Sequence, residues 1–189
     1  DEMRLAEEQI DRVSETIGAS QPFLVVMDRG YPSTAAFIRM MEKGVLFLAR
    51  LKSSDYKKEQ SSLSFPDTWV DIRLDKSRIN HYKGTDIGQR MEELGHITLR
   101  MVKVPLPEGK EEVLITNLPS ETFDSRRIAE LYHMRWGIET AYETPKDRLR
   151  IENFTGTRPV LLLRDIYSTI CVSNLAEDII RDAEAELDE

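Results

Sequence analysis

The 189-residue sequence predicts an α/β fold. Three features carry that prediction: two apolar runs of strand length, helical periodicity on both sides of the first run, and a set of short strands placed ahead of two further helices. Residues 2–17 place Met3, Ala6, Ile10, Val13 and Ile17 at helical spacing, with Gly18 as the expected stop. Phe23 to Met27 is apolar without interruption and ends at Asp28, the pattern of a strand covered on both faces. Gly30 permits a turn there, Pro32 stiffens it, and Ser33 is placed to cap a helix from Thr34 to Lys43, which Gly44 ends. Residues 45–51, VLFLARL, read as a second buried strand, so helix-strand-helix-strand is in place before residue 52.

Residues 52–67 are rich in Ser, Lys and Asp and read as loop. Short strands are expected around Trp69 to Leu74, Ile97 to Val104 and Glu112 to Thr116, the last two joined by the turn-forming PLPEGK, while 75–95 gives no clear pattern. Residues 52–119 are thus expected to be a β-rich insertion between two core segments, 1–51 and 120–189. A long helix is expected from Asp124 or Ser125. After a break framed by Gly156 and Pro159, a last helix should run from Val160 to Glu186, its apolar first half buried and its acidic tail solvated. The single cysteine, Cys171, excludes an internal disulfide and, among Ile170, Val172 and Leu175, is expected to be a buried structural thiol. The sequence shows no long uncharged apolar run of the kind that spans a membrane.

The formal net charge is −8, an unfavourable balance for a protein that binds nucleic acid phosphates. Its distribution matters more. Residues 1–12 hold five acids against two bases and residues 177–189 hold seven against one, which leaves the middle of the chain close to neutral. Polyanion binding would then depend on local groups such as Arg126, Arg127, Arg135, Lys146, Arg148 and Arg150.

The run LYHMRWGIETAYETPK sets Tyr132, Arg135, Glu139 and Lys146 at the spacing Y-x2-R-x3-E-x6-K. On a helix at about 100° per residue, the last three fall roughly 60°, 20° and 40° from Tyr132 on the same side. A phenol, two cations and a carboxylate in one stripe suit a surface that holds phosphates beside a metal-binding oxygen. The plainer reading is an amphipathic core helix with a solvated charged face, its apolar side formed by Leu131, Met134, Ile138, Ala141 and Leu149, so that packing needs none of the stripe. Asp28 has the same two readings: a polar turn after a buried strand, or a carboxylate at the edge where α/β sheets place ligands. The histidines, His81, His96 and His133, have no metal-site spacing and are expected in surface or local structural roles.

The Y-R-E-K spacing, with Trp136 and Ile138 between, resembles the signature of DDE transposases of bacterial insertion sequences. The segment FLVVMDRGYPS, residues 23–33, is similar to the strand that carries the second catalytic Asp of that family. Two motifs in the family's order are more specific than either alone. The resemblance runs along almost the whole chain and is weakest between residues 52 and 95.

The resemblance implies a ribonuclease H-like fold, present here as its C-terminal portion, with the β-rich insertion before the last catalytic helix. It implies Asp28 and Glu139 as catalytic and metal-binding carboxylates, and Mg²⁺ or Mn²⁺ as cofactor, with two ions in the complete site. It implies double-stranded DNA as partner, at transposon ends and target, with self-association on that DNA in a cytoplasmic, nucleoid-associated bacterial setting. Tyr132, Arg135 and Lys146 would contact phosphates. Arg29, with Tyr31, either touches DNA or stabilises the turn, and Trp136 either stacks on an unpaired base or packs beneath the insertion. The family has a third carboxylate on an earlier strand. Asp1 and Asp11 both fall in an expected helix, and the chain opens on Asp1 inside it, so the first catalytic Asp is expected upstream and the piece alone is expected to be inactive. An alternative is a remnant without catalysis that binds only DNA or a transposase subunit. Pro145 departs from the family pattern: in a helix interior it costs about 3 kcal/mol, so the helix kinks after Glu139 or Lys146 is displaced.

Overall fold

The computed structural model describes residues 2–17, 21–106, 109–135 and 158–187. They fall into two compact units, one running to His133 and one from Met134. In the first unit the order is α1 (Glu2–Ile17), β1 (Leu24–Met27), α2 (Thr34–Glu42), β2 (Leu46–Arg50), α3 (Lys57–Ser61), β3 (Asp67–Arg73), α4 (Lys76–Ile79), a 3₁₀ turn (Asn80–Tyr82), α5 (Asp86–Leu94), β4 (His96–Pro105), β5 (Glu111–Thr116) and α6 (Ser125–His133). The second unit holds α7 (Pro159–Leu187).

The five strands form one sheet in the order β1-β2-β5-β4-β3. β1 and β2 are parallel, with Leu24 opposite Leu46 and Met27 opposite Ala49, and α2 makes the connection between them. All other pairings are antiparallel, so the segment after residue 52 adds its strands to the far edge of β2 through Leu48 opposite Thr116. The three strands expected there are all present. Residues 52–67 contain α3 as well as loop, and 75–95 consists mainly of short helices.

Strand alternation sorts the core onto two faces. Phe47, Ala49, Leu99, Met101 and Ile115 point to one face, where Ala36, Phe37 and Met40 of α2 and Ile87 and Met91 of α5 cover them. Leu48, Val102 and Leu114 point to the other, under Leu118 and under Ile128 and Tyr132 of α6. The α2 position is well fixed at both ends. The Ser33 side chain accepts from the Ala36 N–H at 3.1 Å, while Gly44, at φ 67°, ends the helix with Val45 N–H bonded to Met40 C=O and Gly44 N–H to Met41 C=O. Phe37 then stacks on Phe47 at 4.7 Å between ring centres.

Three expectations are corrected. Tyr132 is part of the core, at 2 % exposure, whereas Met134 is 73 % exposed, so the buried stripe of α6 runs through Ile128 and Tyr132. The reason is chemical: a phenol presents an apolar ring with one polar tip, and can fill a core position while its hydroxyl reaches a partner. The first half of α7 is not buried as a whole: Leu161, Leu162 and Ile166 are half-covered, but Val160, Leu163, Tyr167, Ile170 and Val172 are exposed. Apolar residues that occur all round a helix need neighbours on every side to be covered. Cys171, on the same helix, is exposed and is no buried structural thiol.

Candidate active site

Asp28 is the first residue past β1, on the strand at one edge of the sheet. Its backbone carbonyl accepts from the Tyr31 N–H at 3.1 Å, which closes the Asp-Arg-Gly-Tyr turn and leaves the carboxylate half-exposed at the strand's C-terminal end. Tyr31 itself packs against the α2-side core, and Arg29 is exposed. The turn-stabilising reading of Tyr31 therefore has direct contacts behind it.

Because β1 and β2 are parallel, their C-terminal ends lie on the same edge of the sheet. Arg29 from the first and Arg50, Lys52 and Ser53 from the end of the second line a cavity of about 420 Å³, with Gln60, Glu111 and Glu112 also on its wall. Arg50 is partly engaged, its Nε 3.1 Å from Glu112. Arg50 and Lys52, on the wall of this cavity, were not among the candidates the sequence suggested. Lys52 carries the signal used for Asp28, since it follows the end of an apolar run, whereas Arg50 lies within that run.

Helix α6 reaches the same place from the opposite direction in sequence. Asp124 starts it by accepting from the Arg127 N–H at 2.8 Å. One turn apart, Ile128 and Tyr132 then face the sheet. The Tyr132 hydroxyl donates to Asp28 Oδ1 at 3.4 Å, a long hydrogen bond between residues 104 positions apart. The first residue of the Y-R-E-K pattern and the strand-end aspartate are thus neighbours. Arg126 and Arg127 on the outer face of α6 are exposed and paired with Glu130, an arrangement of small energetic weight.

Of the other expected site residues, Arg135 is half-buried and belongs to the second unit. Trp136, Glu139 and Lys146 lie outside the described residues, as does Pro145. His81, His96 and His133 are exposed, in keeping with surface roles. Among the described residues no group of three or more His, Cys, Asp or Glu side chains is placed to hold a metal ion. Asp28 offers carboxylate oxygens of the kind a hard divalent cation takes, and its described side-chain contact, to Tyr132, engages one of the two. The donor chemistry fits such an ion, and a complete site needs further carboxylates beside it. Also among the described residues, no helix is long and apolar enough to cross a membrane.

A family model described as a transposase DDE domain matches residues 2–175. Curated relatives include the transposase for insertion sequence element IS421 of Escherichia coli and the InsL protein of insertion sequence element IS186A of Escherichia coli strain K12. Each is 29% identical over 83 residues, 43% of this chain and 22% of the relative. The chain therefore matches about a fifth of the length of these relatives.

Proposed function

This chain belongs to the transposase DDE domain family, and on that premise we propose that it is the C-terminal portion of a ribonuclease H-like catalytic domain that cleaves and joins DNA during transposition. The observation that carries the proposal is the Tyr132–Asp28 contact. Tyr132, the first residue of the helix motif, reaches Asp28 of the strand motif at the sheet edge where α/β folds bind their ligands, which supports the reading.

In this reading Asp28 and Glu139 are the two carboxylates that this segment contributes toward holding Mg²⁺ or Mn²⁺. Bound there, two such ions would supply Lewis acidity at the scissile phosphodiester and a nucleophile at neutral pH. The protein's own groups do the positioning. Tyr132 holds the Asp28 carboxylate from the core side through its hydroxyl. Arg135 and Lys146 receive strand phosphates, the arginine in a two-point fork and the lysine as a single mobile charge. Arg29, exposed beside Asp28 on the wall of the adjacent cavity, continues the phosphate path, and Trp136 is available to stack on an unpaired base. The family's remaining carboxylate is proposed to precede α1. Asp11, the described alternative, is on α1 and ion-paired with Lys43.

The test is metal-dependent cleavage of DNA carrying the element's ends. The 189-residue chain alone should not cleave, and a chain extended upstream to include an aspartate on a preceding strand should. In the extended chain Asp28→Asn and Glu139→Gln should each abolish cleavage while DNA is still bound. Cleavage by the short chain, lost in Glu139→Gln, would show that the first carboxylate has been misplaced. Full activity in Asp28→Asn would remove Asp28 from the site.

A further inference from the structure

On β4, Arg100 is 1% exposed, yet its side chain points into the α6 side of the sheet, where it shares a face with Val102 and Leu114. Its guanidinium makes a two-point fork with Asp67 on β3, Nε to Oδ1 at 2.7 Å and Nη2 to Oδ2 at 2.5 Å. The third nitrogen, Nη1, turns the other way and donates to two backbone carbonyls, Phe123 at 2.6 Å and Leu118 at 3.4 Å.

Those two carbonyls bracket the loop that delivers the chain from β5 into α6. Its start is tied to β2: Thr116 Oγ1 donates to Phe47 C=O and accepts from Leu118 N–H, while the Asn117 amide bonds Phe47 N–H and Val45 C=O as a strand partner would. Its end is tied only one residue before the Asp124 cap, by Arg100 on Phe123. The helix then runs directly to Tyr132 and its contact with Asp28. The pair is a poor source of net stability, because the desolvation of the buried Arg100 guanidinium and the half-buried Asp67 carboxylate offsets their attraction. Its strength is directional, since a planar fork accepts few geometries.

Resting on the transposase reading above, we propose that Arg100 is a positioning residue for the DNA-cleavage site: by fixing the Leu118 and Phe123 carbonyls to β4 and β3, it sets where α6 lies along the sheet and so places Tyr132 against Asp28. A displacement near 1 Å of a positioning element can lower a rate by about 100-fold, and the 3.4 Å Tyr132–Asp28 contact has little length to spare.

The test has two arms. In the 189-residue chain with tyrosine Cζ labelled by ¹³C, Asp28→Asn should shift the Tyr132 resonance. In Arg100→Met and in Arg100→Lys, variants that lose the fork, that response should be lost or reduced at least by half, while cooperative unfolding shows that the chain is still folded. Should Arg100→Met not fold, Arg100→Lys decides the matter alone. In the upstream-extended chain, Arg100→Lys should raise the half-saturating Mg²⁺ concentration and lower kcat by about ten-fold or more with little change in KM for DNA. A residue that only stabilises the fold would lower the active fraction and leave the Mg²⁺ dependence unchanged. An unaltered Tyr132 response, or an unaltered Mg²⁺ dependence in an active parent, overturns the proposal. A lost Tyr132 response in the 189-residue Arg100 variants, together with an unsubstituted extended chain that cleaves nothing, would instead support the positioning contact and count against the transposase reading on which its catalytic meaning rests.

Discussion

The two faces of the sheet are built on different principles. The α2 face is closed by apolar packing: Phe37 stacks on Phe47, and Ile38, Met40, Ile87 and Met91 fill the space against the strands. On the α6 face the apolar cluster is smaller, and polar side chains fix the backbone: Arg100 on two loop carbonyls, Thr116 and Asn117 on β2, and Tyr132 on Asp28. Apolar contacts are non-directional and tolerate small shifts, whereas hydrogen bonds lose strength quickly with angle and distance. The difference indicates a division of labour in which one face holds the fold together and the other holds the candidate site in place.

The largest expected effect tests the first half of that statement. Phe37→Ala removes a fully buried ring from the stacked pair and leaves a cavity that α2 and β2 cannot close, so it should cost about 3–5 kcal/mol of unfolding free energy in a denaturant titration. A loss under 1 kcal/mol would mean that the α2 face is loosely packed and that the contrast is false.

A second effect on the same face is set by pH. Tyr56, at a left-handed φ of 47°, precedes α3, and its hydroxyl pairs with Thr34 at 2.9 Å while Arg78 lies over its ring at 4.8 Å. Burial pushes the phenol from 10.0 up to about 12, against the smaller opposing influences of the Thr34 hydrogen bond and the Arg78 charge. The folded protein keeps this proton where the unfolded chain has begun to release it. The stabilisation is therefore complete below pH 10 and disappears as pH rises from 10 to about 12. Over that interval the stability of the native sequence relative to Tyr56→Phe should fall by about 2–3 kcal/mol, as a shift of two pH units implies. Absorbance titration should show one tyrosine ionising after the others, and its absence would place Tyr56 in water.

The same contrast explains what the sequence alone made legible. The α2 face was readable because each element announces itself locally: an unbroken apolar run, a serine cap, a glycine stop. The signal for α5 was also present, with Thr85 as cap, Ile87, Met91 and Leu94 at helical spacing and Gly95 as stop, but nine residues offer too few repeats of the pattern to stand out from a loop. The α6 face was less readable because its organising contacts are non-local. Arg100 in a strand looks like any solvent-facing polar residue, and its partners lie 33, 18 and 23 positions away. Asp28 and Tyr132 were both singled out as candidate site residues from the sequence, yet the hydropathy pattern placed Tyr132 on the polar side of its helix, since periodicity treats a residue as one unit and a phenol is two.

Tyr132→Phe gives the smallest effect on folding and the sharpest view of the second face. The ring is what fills the core beside Ile128 and Leu48, and phenylalanine keeps it. The described bond of its hydroxyl is a long one to a half-exposed carboxylate that water can solvate in its place, so losing that bond should lower stability by about 1 kcal/mol or less. If the α6 face serves geometry, the consequence should appear elsewhere: in the upstream-extended chain, Mg²⁺-dependent cleavage should weaken through a higher Mg²⁺ requirement, because the Asp28 carboxylate has lost the group that holds it from the core side. Thermal midpoint and Mg²⁺ half-saturation measured on the same preparation separate the two contributions. A large drop in the midpoint with unchanged Mg²⁺ dependence would show that the phenol hydroxyl is a structural anchor, and the two faces of the sheet would then differ in composition but not in purpose.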